Sequence, residues 1–238
     1  MIITIKMKHA SILALALASA LNATVSMAAS DRAEELTFTA LELDANTQRG
    51  EKLYREQCAS CHGPNAYGAA QHDIPALAAQ RRAYIVKQLA DFIERDRIAT
   101  QMHKVVSREA VRDPQALADL SLYLNNLPPP KNVQIGDGKY LSLGEASYVQ
   151  FCGSCHEDDG RGDDDGYVPS VRNQHYRYLL KEMRALAAGH RFNVETDLTR
   201  FLNSLEQDEM QGLADYMSRM QGPVRDRARM NDDGTVSD

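Results

Sequence analysis

The chain has 238 residues, with 27 Lys and Arg against 33 Asp and Glu, a formal net charge of −6. An acidic protein of this kind is a poor nucleic-acid binder, so no nucleic-acid partner is expected. Its partners are expected to be basic or mixed-charge proteins.

In chain order, Lys6 and Lys8 form a basic region ahead of the apolar run Ala10 to Leu21, and Ser26-Met27-Ala28 supplies small residues for cleavage. Residues 1–28 are read as a signal peptide cleaved after Ala28. The apolar run is short for a membrane span, and no cysteine near the cleavage site can take a lipid. Removing two lysines and no acids leaves a mature charge of −8. Residues 29–47 form an N-terminal arm, whose Leu36, Phe38, Leu41 and Leu43 are expected to cover a domain surface.

All four cysteines lie in two CxxCH runs, Cys58-Ala59-Ser60-Cys61-His62 and Cys152-Gly153-Ser154-Cys155-His156, 94 residues apart. This is the attachment signature of c-type haem. Two thiols one helical turn apart lie on one face, where each can add across a haem vinyl group. The following imidazole then reaches the iron from the same side. A zinc site would need further paired ligands. Two covalent haem c groups are expected, on Cys58 and Cys61 and on Cys152 and Cys155, with His62 and His156 as iron ligands. With the export signal, this chemistry places the protein in the periplasm.

The 94-residue offset also matches Gly50-Glu51 with Gly144-Glu145, Tyr54 with Tyr148, Gly68 with Gly162, Pro75 with Pro169, Gln80 with Gln174, Tyr84 with Tyr178 and Arg97 with Arg191. Two tandem domains are read, at 48–127 and 141–222, joined by a Pro-rich linker at 128–140 and followed by a disordered tail at 223–238. Each is small for an independent fold, so a covalent haem supplies its apolar centre.

Helical patterning runs throughout, giving an all-α fold class. The first helix of each copy carries the haem motif near its C-terminal end, with Ser142-x-x-Glu145 as a capping box in the second. Middle helices are expected at about Arg82 to Glu94 and Tyr176 to Ala188. The last helix of copy one starts at Asp113-Pro114 and carries Leu117, Leu120 and Leu124 as a stripe. Its counterpart follows Ser204-x-x-Gln207 and carries Met210, Leu213, Met217 and Met220.

Over residues 48 to 222 the chain resembles the two-haem class I cytochromes c of the cytochrome c4 type. The resemblance rests on the paired motifs, Gly63-Pro64, the Pro75-Ala76-Leu77-Ala78-Ala79-Gln80 segment and Tyr123. It implies that each domain wraps one haem and that the Pro75 and Pro169 carbonyls accept a hydrogen bond from the ligating histidines. It also implies a methionine ligand in the loop after an arginine. Copy one has Arg97 followed by Met102, with His103 as the adjacent alternative. Copy two has no methionine there, and Leu198 stands in the place of Met102. Met183 and Met210 read as core residues. His190 and His175 are the remaining candidates, His190 the nearer to the loop; otherwise this iron is five-coordinate or binds water.

The acidic run Glu157 to Asp165 reads as a solvated loop, with docking of a basic partner as its functional alternative and calcium binding a weaker one. Two functions follow. One is a periplasmic carrier passing single electrons between a donor complex and a terminal oxidase or reductase, with no catalytic residues. The other is a haem subunit of a redox enzyme, or a protein reactive toward peroxide, nitric oxide or sulfur compounds, acting through the second domain.

Overall fold

The computed structural model describes residues 31–191, 194 and 196–222; their regular structure is helical, with no paired strands beyond isolated bridges among them. The expected signal peptide and the tail at 223–238 lie outside the described residues.

Helix α1, residues 31–42, lies on the first domain. Ala33 and Ala40 are buried with Val86, Ala90 and Leu117, and Leu36 and Leu41 pack beside them. The same face turns Thr37 inward, where its hydroxyl donates to the Ala33 carbonyl at 2.7 Å. The arm therefore covers a domain surface as expected, but Phe38, next on the helical wheel, is 60% exposed.

Helix α2, Thr47–Gln57, is capped by Asn46, which accepts from the Arg49 amide at 2.9 Å. The haem motif does not sit within it: Cys58 breaks the helix and α3, Ala59–His62, follows as a separate turn. After an irregular stretch come α4, Arg82–Glu94, then α5, Thr100–Val106, and α6, Glu109–Arg112. Helix α7, Pro114–Asn126, begins as read from Asp113-Pro114, and Asp113 accepts from the Gln115 amide at 2.9 Å. Its Leu117, Leu120 and Leu124 are all buried. Gly50 lets α2 cross α7 closely, because a Cβ there would run into the Asp119 carbonyl.

The second domain repeats this plan. Helix α8, Leu141–Ser147, runs through a π-helical turn, Tyr148–Cys152, into α9, Gly153–His156. The capping box expected at Ser142 is absent: the helix starts two residues earlier, at Leu141, Tyr140 is the N-cap, and no side chain caps it. Helix α10 covers Tyr176–Ala187 and α11 Thr196–Ser204. Helix α12, Gln207–Arg219, takes its capping box from Glu206 and Glu209 rather than from Ser204, which ends α11 and donates to the Phe201 carbonyl. Met210, Leu213 and Met217 are buried in its core with Met183. Gly144 packs against the Gly212 backbone, the counterpart of the Gly50 contact.

The domains meet through equivalent residues in exchanged roles. Gln80 donates to the Ser170 carbonyl at 2.9 Å and accepts from its amide at 2.7 Å. Gln174 does the same to Ala76, at 2.9 and 3.0 Å. Such reciprocity is the mark of an isologous, two-fold contact, built here within one chain. At its centre Arg97 and Arg191 pair backbone to backbone in an isolated antiparallel bridge. Both guanidiniums bond Gln88 Oε1 at 2.7 Å, and both reach Glu182, Arg97 at 2.8 Å and Arg191 at 3.3 Å. Gln88 and Glu182 are themselves 94 residues apart, so one carboxylate serves two buried arginines.

The linker is strapped down rather than free. Pro130 is fully buried, and Asp215 accepts from the Gly136 and Gly138 amides at 3.0 and 2.7 Å.

Candidate functional site

In each motif the backbone closes a helical turn around the thiols. The His62 amide donates to the Cys58 carbonyl at 3.0 Å. Tyr54 spans the turn, its hydroxyl donating to the Gly63 carbonyl at 2.6 Å, and Tyr148 does the same to Glu157 at 2.6 Å. The repeat singles out both tyrosines, but their role as braces emerges only from this contact.

The proline carbonyls take the place that the resemblance implied. His62 Nδ1 lies 3.1 Å from the Pro75 carbonyl and His156 Nδ1 2.9 Å from that of Pro169. A carbonyl can only accept, so Nδ1 carries the proton and Nε2 keeps its lone pair for a metal. Burial holds both imidazoles below the usual histidine range, which the proline bonds only partly offset. Burial likewise pushes the Cys58 and Cys152 thiols up to about 11, while Cys61 and Cys155 are exposed. No disulfide joins the four cysteines.

Beyond the motif, Met102 is half-buried on α5 beside Phe92, Val106 and Val111. The ring of His103 is engaged elsewhere, with Nε2 donating to the Arg97 carbonyl at 3.0 Å and the ring edge meeting Phe92. In the second domain α11 begins at Thr196 as α5 begins at Thr100, so Leu198 and Met102 are both third residues, and Leu202 and Val106 are both buried. Leu198 itself is 42% exposed. Met183 and Met210 belong to the core, as expected. His190 is exposed after Gly189, its backbone amide bonded to Ala185. His175 is buried between the domains, accepting at Nδ1 from the Gln134 amide at 3.1 Å and donating from Nε2 to the Tyr67 carbonyl at 2.8 Å. Both its nitrogens are thereby used.

These residues fit haem. Each motif holds two thiols and an imidazole with Nε2 left for a metal, and the Arg97–Arg191–Glu182 cluster carries one positive charge in excess. Arg97 and Arg191 share Glu182, and Arg191 Nε and Arg82 Nη2 are buried without a partner among the described residues. An anionic cofactor bearing carboxylates, as haem does, would balance them. No cluster of three or more His, Cys, Asp or Glu suited to a metal ion occurs among the described residues.

The acidic run is neither a plain solvated loop nor an open patch. Asp164 accepts from the Ala83 amide at 2.9 Å, capping α4 across the domain boundary, where α4's own N-cap residue Arg81 offers no side-chain bond. Arg81 instead donates to the Arg161 and Gly162 carbonyls at 2.7 and 2.9 Å. Glu157 pairs with Arg161, Asp159 with Arg172, and Asp163 accepts from the Gly166 amide.

Comparison with known proteins agrees with this geometry. The family model described as cytochrome c matches twice, at residues 47–128 and 141–221. The chain is 30% identical over 181 residues to cytochrome c4 of Thiocapsa roseopersicina, covering 71% of this chain and 90% of that one. It is 28% identical over 198 residues to the thiosulfate dehydrogenase electron acceptor of Stutzerimonas stutzeri strain A1501, covering 76% and 90%. The crystal structure of reduced recombinant cytochrome c4 from Pseudomonas stutzeri superposes with a TM-score of 0.64 at 23% identity, covering 75% of this chain and all of that one.

Proposed function

We infer the function from one premise: this chain belongs to the cytochrome c family, in the two-domain cytochrome c4 form, and binds two haem c groups covalently. It is an electron carrier of that kind, which we propose to be periplasmic, passing single electrons between a donor complex and a terminal oxidase or reductase. The observation that carries the reading is the pair of CxxCH turns, each with its histidine Nδ1 tied to a proline carbonyl. Haem iron, when bound, supplies the one-electron redox chemistry.

The residues divide the work. Cys58 and Cys61 anchor one group and Cys152 and Cys155 the other, and His62 and His156 ligate through Nε2. Met102 completes the first set. The position of Met102 supports this choice over His103, whose ring is already engaged. A thioether favours reduced iron and raises the potential. Among the described residues of the second domain no methionine holds that place: Leu198 stands there, Met183, Met210 and Met217 are core, and Met220 packs against that core. Domain 2 is therefore the lower-potential end, and electrons run from it to domain 1. His190, exposed after Gly189, is the alternative sixth ligand of domain 2. Among the described residues no helix is long and apolar enough to cross a membrane.

The test is an optical and paramagnetic-resonance redox titration with carbon monoxide added to the reduced protein. One low-spin haem beside a gas-binding haem of lower potential is the expected result. Two low-spin haems, neither binding gas, would assign a strong ligand such as His190 to domain 2.

A second reading is favoured by one relative, named a thiosulfate dehydrogenase electron acceptor and matched over 76% of this chain. On it, the chain takes electrons from a sulfur-oxidising enzyme. Reduction by thiosulfate only when a thiosulfate dehydrogenase is added supports that role; reduction by thiosulfate alone would make the chain an enzyme.

A further inference from the structure

Each motif histidine donates from Nδ1 to a proline carbonyl of its own domain, but the peptide group that holds this carbonyl is completed by the other domain. The Pro75 carbonyl, 3.1 Å from His62 Nδ1, shares its peptide with the Ala76 amide, which donates to Gln174 Oε1 at 3.0 Å. The Pro169 carbonyl, 2.9 Å from His156 Nδ1, shares its peptide with the Ser170 amide, which donates to Gln80 Oε1 at 2.7 Å. A bonded path thus runs from each histidine to a glutamine across the boundary, and the two paths cross.

Both glutamines hold that oxygen in a fixed place. Gln174 Oε1 also accepts from the His175 amide at 3.0 Å, and Gln80 Oε1 from the Arg81 amide at 2.8 Å. Their Nε2 groups donate to the Ala76 and Ser170 carbonyls, each at 2.9 Å, so both ends of each side-chain amide are pinned. Gln174 is 5% exposed, and a bond shielded from water is the stronger electrostatically. A peptide is one resonant unit. An acceptor on its N–H shifts electron density toward its carbonyl oxygen, which then accepts more strongly in turn. A stronger acceptor pulls harder on the imidazole Nδ1 proton and leaves Nε2 a more basic ligand.

We propose that Gln174 and Gln80 are positioning residues for the haem of the opposite domain, each lowering that haem's potential through the proline peptide bonded to its histidine. The proposal rests on the reading that His62 and His156 ligate iron through Nε2. A more basic imidazole favours oxidised iron, so Gln174 acts on the first haem and Gln80 on the second. Glutamines that only joined the domains could take any backbone group as partner. Arg81 does so, clamping the boundary through the Arg161 and Gly162 carbonyls. Both glutamines instead bond the one peptide that carries the histidine's acceptor, in the same geometry. Neither domain completes the surroundings of its own histidine.

The experiment is a redox titration of the full haem-loaded chain followed by proton NMR. Haem methyl resonances assign a potential to each domain, and the His62 Nδ1 proton reports its own bond in the reduced protein. Gln174→Met should move the first haem about threefold toward the reduced form and leave the second unchanged. The His62 ring proton should shift upfield with it. Gln80→Met should do the converse, raising the second haem alone. Gln174→Glu loses the same Nε2 bond, but its carboxylate accepts more strongly, so it should lower the first haem's potential. Arg81→Lys keeps the charge and loosens the boundary away from the prolines, and should move neither haem. A shift confined to the substituted residue's own domain would overturn the proposal, because local distortion would then be the cause. So would shifts of the same sign in Gln174→Met and Gln174→Glu, no shift in either, or an Arg81→Lys shift equal to that of Gln174→Met. A wild-type His62 ring proton with no haem ring-current shift would instead remove the ligand reading itself, and the proposal with it.

Discussion

At the residue following each haem-motif histidine the backbone takes the same conformation but the side chains differ. Gly63 has φ 78° and ψ 161°, a region open to glycine, and Glu157 is held at φ 66° and ψ 160° in the second copy. Strain of about 1 to 3 kcal/mol is expected there, and the half-exposed Glu157–Arg161 pair offsets little of it. Glu157→Gly should stabilise the chain by about 1 kcal/mol after the entropy cost of glycine, read as a higher urea midpoint. The 94-residue repeat aligns these two positions, yet nothing in the letters says that the shared conformation is one glutamate adopts badly. Met102 makes the complementary case. Its position after Arg97 makes it legible as a ligand, and Met102→Ala should let the reduced first haem bind carbon monoxide, while Leu198→Met should close the second haem to it.

Among the helices, a terminus is legible where its cap is local and hidden where it is not. Asp113-Pro114 starts α7 as written, because cap and helix are neighbours in sequence. Helix α4 takes its cap from Asp164, 81 residues away. Asp164→Ala should therefore destabilise a helix of the other domain by about 1 kcal/mol, measured as faster amide exchange in the first turn of α4. Close crossings are similarly tertiary. Gly144 lies on the Gly212 backbone, so Gly144→Ala would force α8 and α12 apart and should cost about 2 to 3 kcal/mol, with a lower thermal midpoint.

For the molecule as a whole the interface decides how the two halves act together. Glu182 is the one carboxylate bonded to both Arg97 and Arg191 among the described residues, so Glu182→Gln leaves their charges unbalanced and should cost about 3 kcal/mol, seen as separate unfolding of the domains in calorimetry. Tyr178 accepts from Arg97 in the same cluster, and burial is the main cause that pushes its hydroxyl up to about 12. A raised acid holds its proton longer when folded than when unfolded. Stability from this group is thus level below about pH 10 and declines as pH rises toward about 12. Thermal midpoints across that range should fall less steeply in Tyr178→Phe than in the wild type.

The all-α fold, the two copies, the four cysteines and two histidines of the haem motifs, and the unequal methionines can all be read from the letters alone. Each depends on spacing along one short segment or on comparison of one copy with the other. Folding in three dimensions was needed to show that His103 and His175 are occupied and that the acidic run clamps the domains. Those outcomes depend on which distant backbone groups need a partner and which side chains find one, and a buried polar group takes its partner wherever the fold brings one.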